Sequence, residues 1–361
     1  MLINVPIEEL EERYSKQWNK WFVREFKRLK VSFTTVYPKP LRRFIKHGEF
    51  LDAIGTNYFK AQQLAMLCKM FDKGKVKNGD IIFLHDLWFP GLEMLFYMRD
   101  ALGINVKIGG MLHAGSYDPN DFLYRKQMDS WGRSIEEGWF NEVDFIFAAT
   151  KYHRDMLLKN RSGVTGKNIF VTPFPLFWED IESEYGYNIL FSFPFIYAER
   201  QEIEKENIVV FPHRLAPEKQ PQLFSRLTHE LKEQYPDWQF VKTKDVCKTK
   251  ADYYKLLFKS KIAVAHALQE TWGIAQQEAV LAGCVPVVPN RLSYLEMYSQ
   301  EFQYETWSGD GYENLKFKVD QVIRHYETYA QGLALALDRW QFKRNGANSI
   351  EVMIHRMEGL K

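Results

Sequence analysis

Cysteine is scarce in this chain: three in 361 residues, Cys68, Cys247 and Cys284, far apart and with no C-x-x-C pair. That spacing excludes a disulfide framework and a thiolate metal site, and fits reduced core thiols in the cytoplasm. Long apolar runs are missing too, so no stretch of about 18 residues could cross a bilayer. The opening MLINVPIEELEERYSKQW carries carboxylates where a secretory leader needs an apolar run. Net charge is only +2, so there is no global basic field, and a nucleic-acid partner would have to be met by a local patch. No D-x-D motif stands at a strand end, so no obligatory divalent metal is expected. Internal repeats and low-complexity tracts are absent.

What is present is ordinary globular material in unusual proportion. With 46% apolar and 26% charged residues, the chain can bury cores without staples, and its length suits two domains. Aromatic residues reach 16%, which serves large cores first and stacking surfaces second.

The sequence rhythm predicts two α/β sets. LINVPI reads as a buried strand, and Glu8 to Lys30 as a helix. Its inner face would carry Tyr14, Trp18, Trp21, Phe22, Phe26 and Leu29, and its outer face Arg13, Lys16, Lys20, Arg24, Lys27 and Lys30. VSFTTVYP reads as a strand and Asn57 to Phe71 as a helix. DIIFL, VKIGGML, VDFIFAAT and NIFVTPFP then read as strands, separated by helices at Gly91 to Leu102, Phe122 to Phe140 and from Lys151. Strands alternating with helices imply a parallel sheet covered on both faces.

Residues Trp178 to Asn207, with the apolar island ILFSFPFI, break this rhythm and mark a domain junction. Beyond it NIVVFPHR, WQFVKT, KIAVAHA and CVPVVPN read as strands of a second set, and Asn314 to Leu360 as a long helical stretch with no strand after it. The expected layout is a first Rossmann-like domain over 1–195 and a second over 205–334, with a helix of roughly 335–361 packing back on the first, and with parallel sheets facing across a cleft.

One string concentrates the chemistry: QETWGIAQQEAVLAGCVPVVPN. Glu270 and Glu278 enclose seven residues, Gly273 stands where a loop enters a helix, and Gly283 ends that helix before a buried strand. Thr271 is a plausible N-cap, ahead of Ile274. A helix N-terminus offers free N–H groups and a positive dipole end to a diphosphate, and Gly273 lets that backbone come close. Glu278, roughly 10 Å along at ~1.5 Å per residue, is spaced to take a ribose's hydroxyls. Two solvated glutamates would be the commoner finding for a bare pair, but not for the whole glycine-punctuated string. In FPHRLAPEKQP, Arg214 and Lys219 lie five apart in the loop after the first strand of the same domain, where two cations would stabilise a leaving diphosphate.

These strings resemble the E-x7-E signature, its Gly-x-Pro-Val-Val ending and the basic pair of family-4 retaining glycosyltransferases with the GT-B fold. The resemblance implies a soluble enzyme that moves a sugar from a UDP- or GDP-sugar, with no cofactor beyond that co-substrate. Arg214, Lys219, Thr271, Gly273 and Ile274 would hold the diphosphate, Glu278 the ribose, and Glu270 would lie near the transferred sugar. His113, beginning HAGSYDP at a strand end, would face it from the first domain, although a lone histidine is more often structural. His85 and Asp86 end another strand; either faces the acceptor or holds its loop. The family's glycine-rich loop after the first strand is missing, and Arg13, Tyr14 or Lys16 would take its place.

PHR-x4-K, GC-x-P…PNRL-x-Y-x-E and HAGSYDP are further similar to the tRNA-queuosine mannosyltransferase branch, and PIEELEERYSKQW to glycosyltransferases that phages use on modified DNA bases. Both groups modify a nucleobase, which implies a DNA or tRNA acceptor in the cytoplasm, the host's if the source is a phage. Residues 13–46 hold eleven Lys or Arg against Glu25 alone, and Arg13, Lys16, Lys20 and Arg24 would track a phosphate backbone. A solvated face balancing the acidic Glu8 to Glu12 run is the plainer alternative. A small-molecule, glycan or lipid acceptor stays open, as does a non-catalytic nucleic-acid-binding relative, which slow donor hydrolysis would distinguish.

Overall fold

The computed structural model of the chain describes residues 1–10, 14–41, 52–184, 204–306, 310–339 and 342–360. Two compact units emerge, one of Met1–Pro175 with Asn348–Lys361 and one of Leu176–Ala347. Most of the junction stretch, including ILFSFPFI, lies outside the described residues.

The first unit is a six-stranded parallel sheet in the order β2-β1-β3-β4-β5-β6. The strands are β1 Leu2–Val5, β2 Phe33–Thr35, β3 Ile81–Leu84, β4 Lys107–Leu112, β5 Phe145–Ala148 and β6 Ile169–Val171. Alternation along the strands divides the core. Ile82, Leu84, Ile108 and Ile146 face a cluster with Leu67, Leu92, Leu95 and Phe140 from the covering helices. Phe83, Phe145 and Phe147 stack on the other face, where the helix Ser15–Arg28 lays Phe22 against Phe83, ring centroids 5.6 Å apart. Trp18, Trp21, Phe22 and Phe26 of that helix are buried, while Lys16, Lys20, Arg24 and Lys27 are exposed, so the amphipathic pattern is realised. The C-terminal stretch belongs to this unit: Arg28 meets Glu351 at 2.6 Å and Arg356 stacks over Phe170.

The second unit is a five-stranded parallel sheet in the order β11-β10-β9-β7-β8. Here β7 is Glu206–Phe211, β8 Gln239–Lys242, β9 Ser260–Val264, β10 Val285–Pro289 and β11 Gln303–Tyr304. In each sheet the strand order reverses once, between β1 and β3 and between β7 and β9. At such a switch point the loops at the strands' carboxyl ends part and leave a crevice for ligands.

Three sequence expectations need correction. The helix expected over Phe122 to Phe140 is two, Phe122–Arg125 and Asp129–Glu142. Gln127 between them takes φ 60, and its N–H and that of Met128 close back on Tyr124 and Leu123, which ends the first helix. The last helical stretch is three helices, Tyr312–Arg324, Tyr326–Arg339 and Phe342–Glu358. Finally, β11 was not anticipated, being only two residues long.

Candidate functional site

At the switch point of the second unit, three loops meet. Ala265 to Gly273 follows β9, Pro212 to Gln220 follows β7, and Asn290 to Ser293 follows β10. They are stitched together by Leu268 N–H to the Glu218 carbonyl at 2.8 Å, Arg291 Nε to the Ala267 carbonyl at 3.1 Å, and Ser293 Oγ to the Glu270 carbonyl at 3.2 Å. The helix Ile274–Leu281 begins here. Its N-cap is Gly273, at φ 60 and ψ 46, a left-handed conformation that glycine adopts freely.

The N-cap expected at Thr271 is therefore displaced, and the reason is Glu270. Its Oε1 accepts the N–H groups of Thr271, Trp272 and Gly273 at 3.1, 3.3 and 2.7 Å. A carboxylate already sits in the anion nest that the helix entrance makes. Its other oxygen meets Lys219 Nζ at 3.0 Å, and Lys219 also donates to the Gln269 carbonyl. Burial alone would push the Glu270 carboxyl up, but Lys219 with the backbone donors outweighs it and holds it at about 2. Lys219 is buried on the short helical turn Pro217–Lys219. Arg214 reaches the same loop half-exposed and bonds Glu218 Oε1 through Nε at 3.0 Å and Nη2 at 2.6 Å. Next to them His213 is buried and kept neutral, its pKa lowered to about 3 by burial and by Lys219.

Glu278 lies on the second turn of this helix and is buried. It accepts Tyr253 OH at 2.8 Å and Tyr254 OH at 2.5 Å, with Lys250 Nζ at 3.5 Å. These three partners come from the helix Lys250–Lys259, which sequence reasoning did not connect with Glu278. Each carboxylate oxygen can accept two bonds, and Oε2 takes only Tyr253, so capacity for a further donor is left.

In the first unit His113 ends β4, half-buried. Nε2 lies 2.7 Å from the His85 carbonyl and Nδ1 3.4 Å from Tyr14 OH, among Trp18 and Phe174. His85 exposes no surface. Its Nε2 is 2.7 Å from Asn4 Oδ1 and burial lowers its pKa to about 3, so its ring does not line an open site. Asp86 is bound to Lys60 at 2.6 Å and accepts the Trp88 N–H, which is loop-holding work. Asn19, Lys20, Arg24 and Lys27 of one helix line an open groove of about 610 Å³ beyond the carboxyl ends of β1 and β2, together with Asn4, Glu9 and Tyr37. Lys16 is exposed on the same helix; Arg13, Arg42, Arg43 and Lys46 lie outside the described residues. Asn4, Tyr37 and Asn19 were missed because nothing in their local sequence sets them apart. Among the described residues no cluster of His, Cys, Asp or Glu could hold a metal ion, and no helix is long and apolar enough to cross a membrane.

Known structures share this architecture. The chain is similar to Anabaena HepE in complex with UDP, with a TM-score of 0.61, 11% identity and 99% of both chains covered. It is similar to sucrose-phosphate synthase from Thermosynechococcus elongatus, with a TM-score of 0.61, 11% identity, and 99% and 96% covered. The fold is that of the GT-B glycosyltransferases. Staphylococcus aureus TarM, crystallised with UDP among other ligands, shares the GT-B fold at a TM-score of 0.55 and 15% identity, over 82% of this chain and 59% of its own. No family model matches the chain. The tRNA-queuosine alpha-mannosyltransferase of Drosophila melanogaster is 40% identical over 55 residues, so the chain spans 15% of that relative's length.

Proposed function

We propose that this chain is a retaining glycosyltransferase of the family-4 type that moves a sugar from a nucleotide-sugar to a hydroxyl on a modified nucleobase of DNA or RNA. The observation that carries the donor half is the pairing of Lys219 with Glu270 at a glycine-opened helix N-terminus, at the switch point of the second sheet, with Arg214 in the loop that bears Lys219. Two cations and the positive end of a helix have the sign that a diphosphate needs. Structures of the same fold crystallised with UDP, such as HepE and TarM, favour a UDP donor over GDP.

In this reading the acceptor oxygen attacks the anomeric carbon on the face from which the diphosphate departs. The bond from that carbon to the phosphate oxygen breaks, the bond to the acceptor oxygen forms, and the acceptor's proton passes to the leaving diphosphate. Arg214, Lys219 and the N–H groups near Gly273 and Ile274 stabilise the charge that develops on it. Glu270 orients the sugar, Glu278 the ribose, and His113 the acceptor.

The acceptor half is supported by the groove walled by Lys20, Arg24 and Lys27, where cations for phosphates adjoin the polar side chains of Asn4, Asn19 and Tyr37. A thermal-shift screen of UDP- and GDP-sugars, followed by incubation of the best donor with DNA, tRNA and simple glycans, tests both halves. A stabilising donor and a product retaining its anomeric configuration by proton NMR are expected. No stabilising nucleotide-sugar defeats the enzyme reading, an inverted anomer defeats the retaining assignment, and transfer to glycans alone defeats the nucleobase.

A further inference from the structure

The first unit carries a second groove that the donor and acceptor chemistry does not use. It also measures about 610 Å³ and runs beside the helices Leu92–Ala101 and Asp129–Glu142, walled by Trp88, Trp131, Trp139 and Phe96. The indoles meet edge to face. Trp88 lies 6.3 Å from Trp131 at 61° and 6.0 Å from Trp139 at 79°. Two are anchored by their N–H groups, Trp88 to Glu136 and Trp139 to Glu93, each at 3.0 Å. Glu136 is itself buried and held by Arg161 and the Ser116 N–H, so the Trp88 wall is fixed in place. Trp131 is 51% exposed, an uncommon state for the largest apolar side chain.

Gly138 makes the space a feature of the sequence. It lies inside the helix Asp129–Glu142 and lines the groove, and a Cβ built there would meet nothing within 4 Å. Glycine inside a helix destabilises it relative to alanine, and here no neighbouring side chain requires it.

The charge of the lining selects the ligand. Glu93 and Glu142 border the groove, and Arg99 lies behind it over the Phe96 ring at 5.5 Å. Glu142 is taken by Arg99, whereas Glu93 uses only Oε2, for Trp139. Glu93 lies in the first turn of its helix. An indole face carries negative potential, and a carboxylate beside it adds to that potential.

We propose that this groove is a binding site for an alkylated ammonium cation, held against Trp88, Trp131 and Trp139 with Glu93 as counter-charge. The cation's methyl groups replace water on the indole faces, and its charge meets the ring quadrupoles.

The test is calorimetric titration of the full chain with choline, beside 3,3-dimethylbutan-1-ol, which has the same shape without the charge. Choline should bind saturably with a Kd on the order of 1 mM, and the alcohol at least about ten-fold more weakly. Trp131→Ala, at an exposed position, should weaken choline by about five- to thirty-fold, and Glu93→Gln by about three- to ten-fold. Gly138→Leu should abolish binding and melt no lower than the parent, because it fills the groove with a better helix former. Equal binding of the alcohol, no saturation by roughly 50 mM choline, or unchanged affinity in Trp131→Ala would overturn the proposal.

Discussion

Replacing Lys219 by alanine probes the candidate donor site most directly. Its ammonium, buried and 3.0 Å from Glu270, is the chief attraction that holds that carboxyl at about 2. Removing one partner of a buried pair costs about 3–5 kcal/mol when the other is stranded. Glu270 is not stranded, since three backbone N–H groups still point at Oε1, so the expected loss is nearer 2–3 kcal/mol. In a unit of this size that lowers Tm by about 5–10 °C. Glu270→Gln added to Lys219→Ala should cost less than the two singles together, with a coupling of about 1–2 kcal/mol. UDP affinity should fall by about 10- to 100-fold if the ammonium contributes one charge-assisted contact to the diphosphate. Differential scanning fluorimetry gives the first quantity and calorimetry with UDP the second. A folded Lys219→Ala protein that binds UDP within two-fold of the parent would refute the placement of the diphosphate here, whatever its melting temperature.

Two further outcomes are expected. Burial holds His85, His153 and His213 at about 3 and His266 at about 4. The unfolded chain protonates them near 6.5, so the stabilisation is fully present above that pH and is lost as pH falls toward 4, at about 1.4 kcal/mol per group per unit. Urea melts at pH 7.5, 6 and 5 check this, and a flat profile would mean these imidazoles protonate in the folded state. Lys20→Ala with Arg24→Ala should weaken oligonucleotide binding and lower the log–log salt slope by ~0.7–0.9 per lost phosphate contact, with UDP affinity unchanged; fluorescence anisotropy at several salt concentrations against calorimetry decides it.

The succession of strands along the chain was legible because a strand buried on both faces must be apolar throughout, as IIFL and FIFA are, and such runs stand out between amphipathic helices. The switch from loop to helix at Gly273 was legible for a similar reason: a left-handed residue favours glycine. What escaped notice depends on distance in the chain. The break at Gln127 is made by a non-glycine residue in the left-handed region, which no composition rule flags. Two-residue β11 pairs with β10 through backbone alone, at Val288 with Gln303 and Pro289 with Tyr304, so no side-chain pattern announces it.

The glutamates show where sequence reasoning stops and geometry begins. E-x7-E reads as two ligand-facing carboxylates, yet both are satisfied by protein. Glu270 fills the helix entrance, and Glu278 is covered by the phenols of a tyrosine pair 24 and 25 residues earlier. A buried charge must be paired, and Glu270 is paired with Lys219 at 3.0 Å. Neutralising it as Glu270→Gln removes the charge but keeps an oxygen for the N–H groups. It should therefore cost less in stability than Lys219→Ala, because Lys219 still donates to the Gln269 carbonyl.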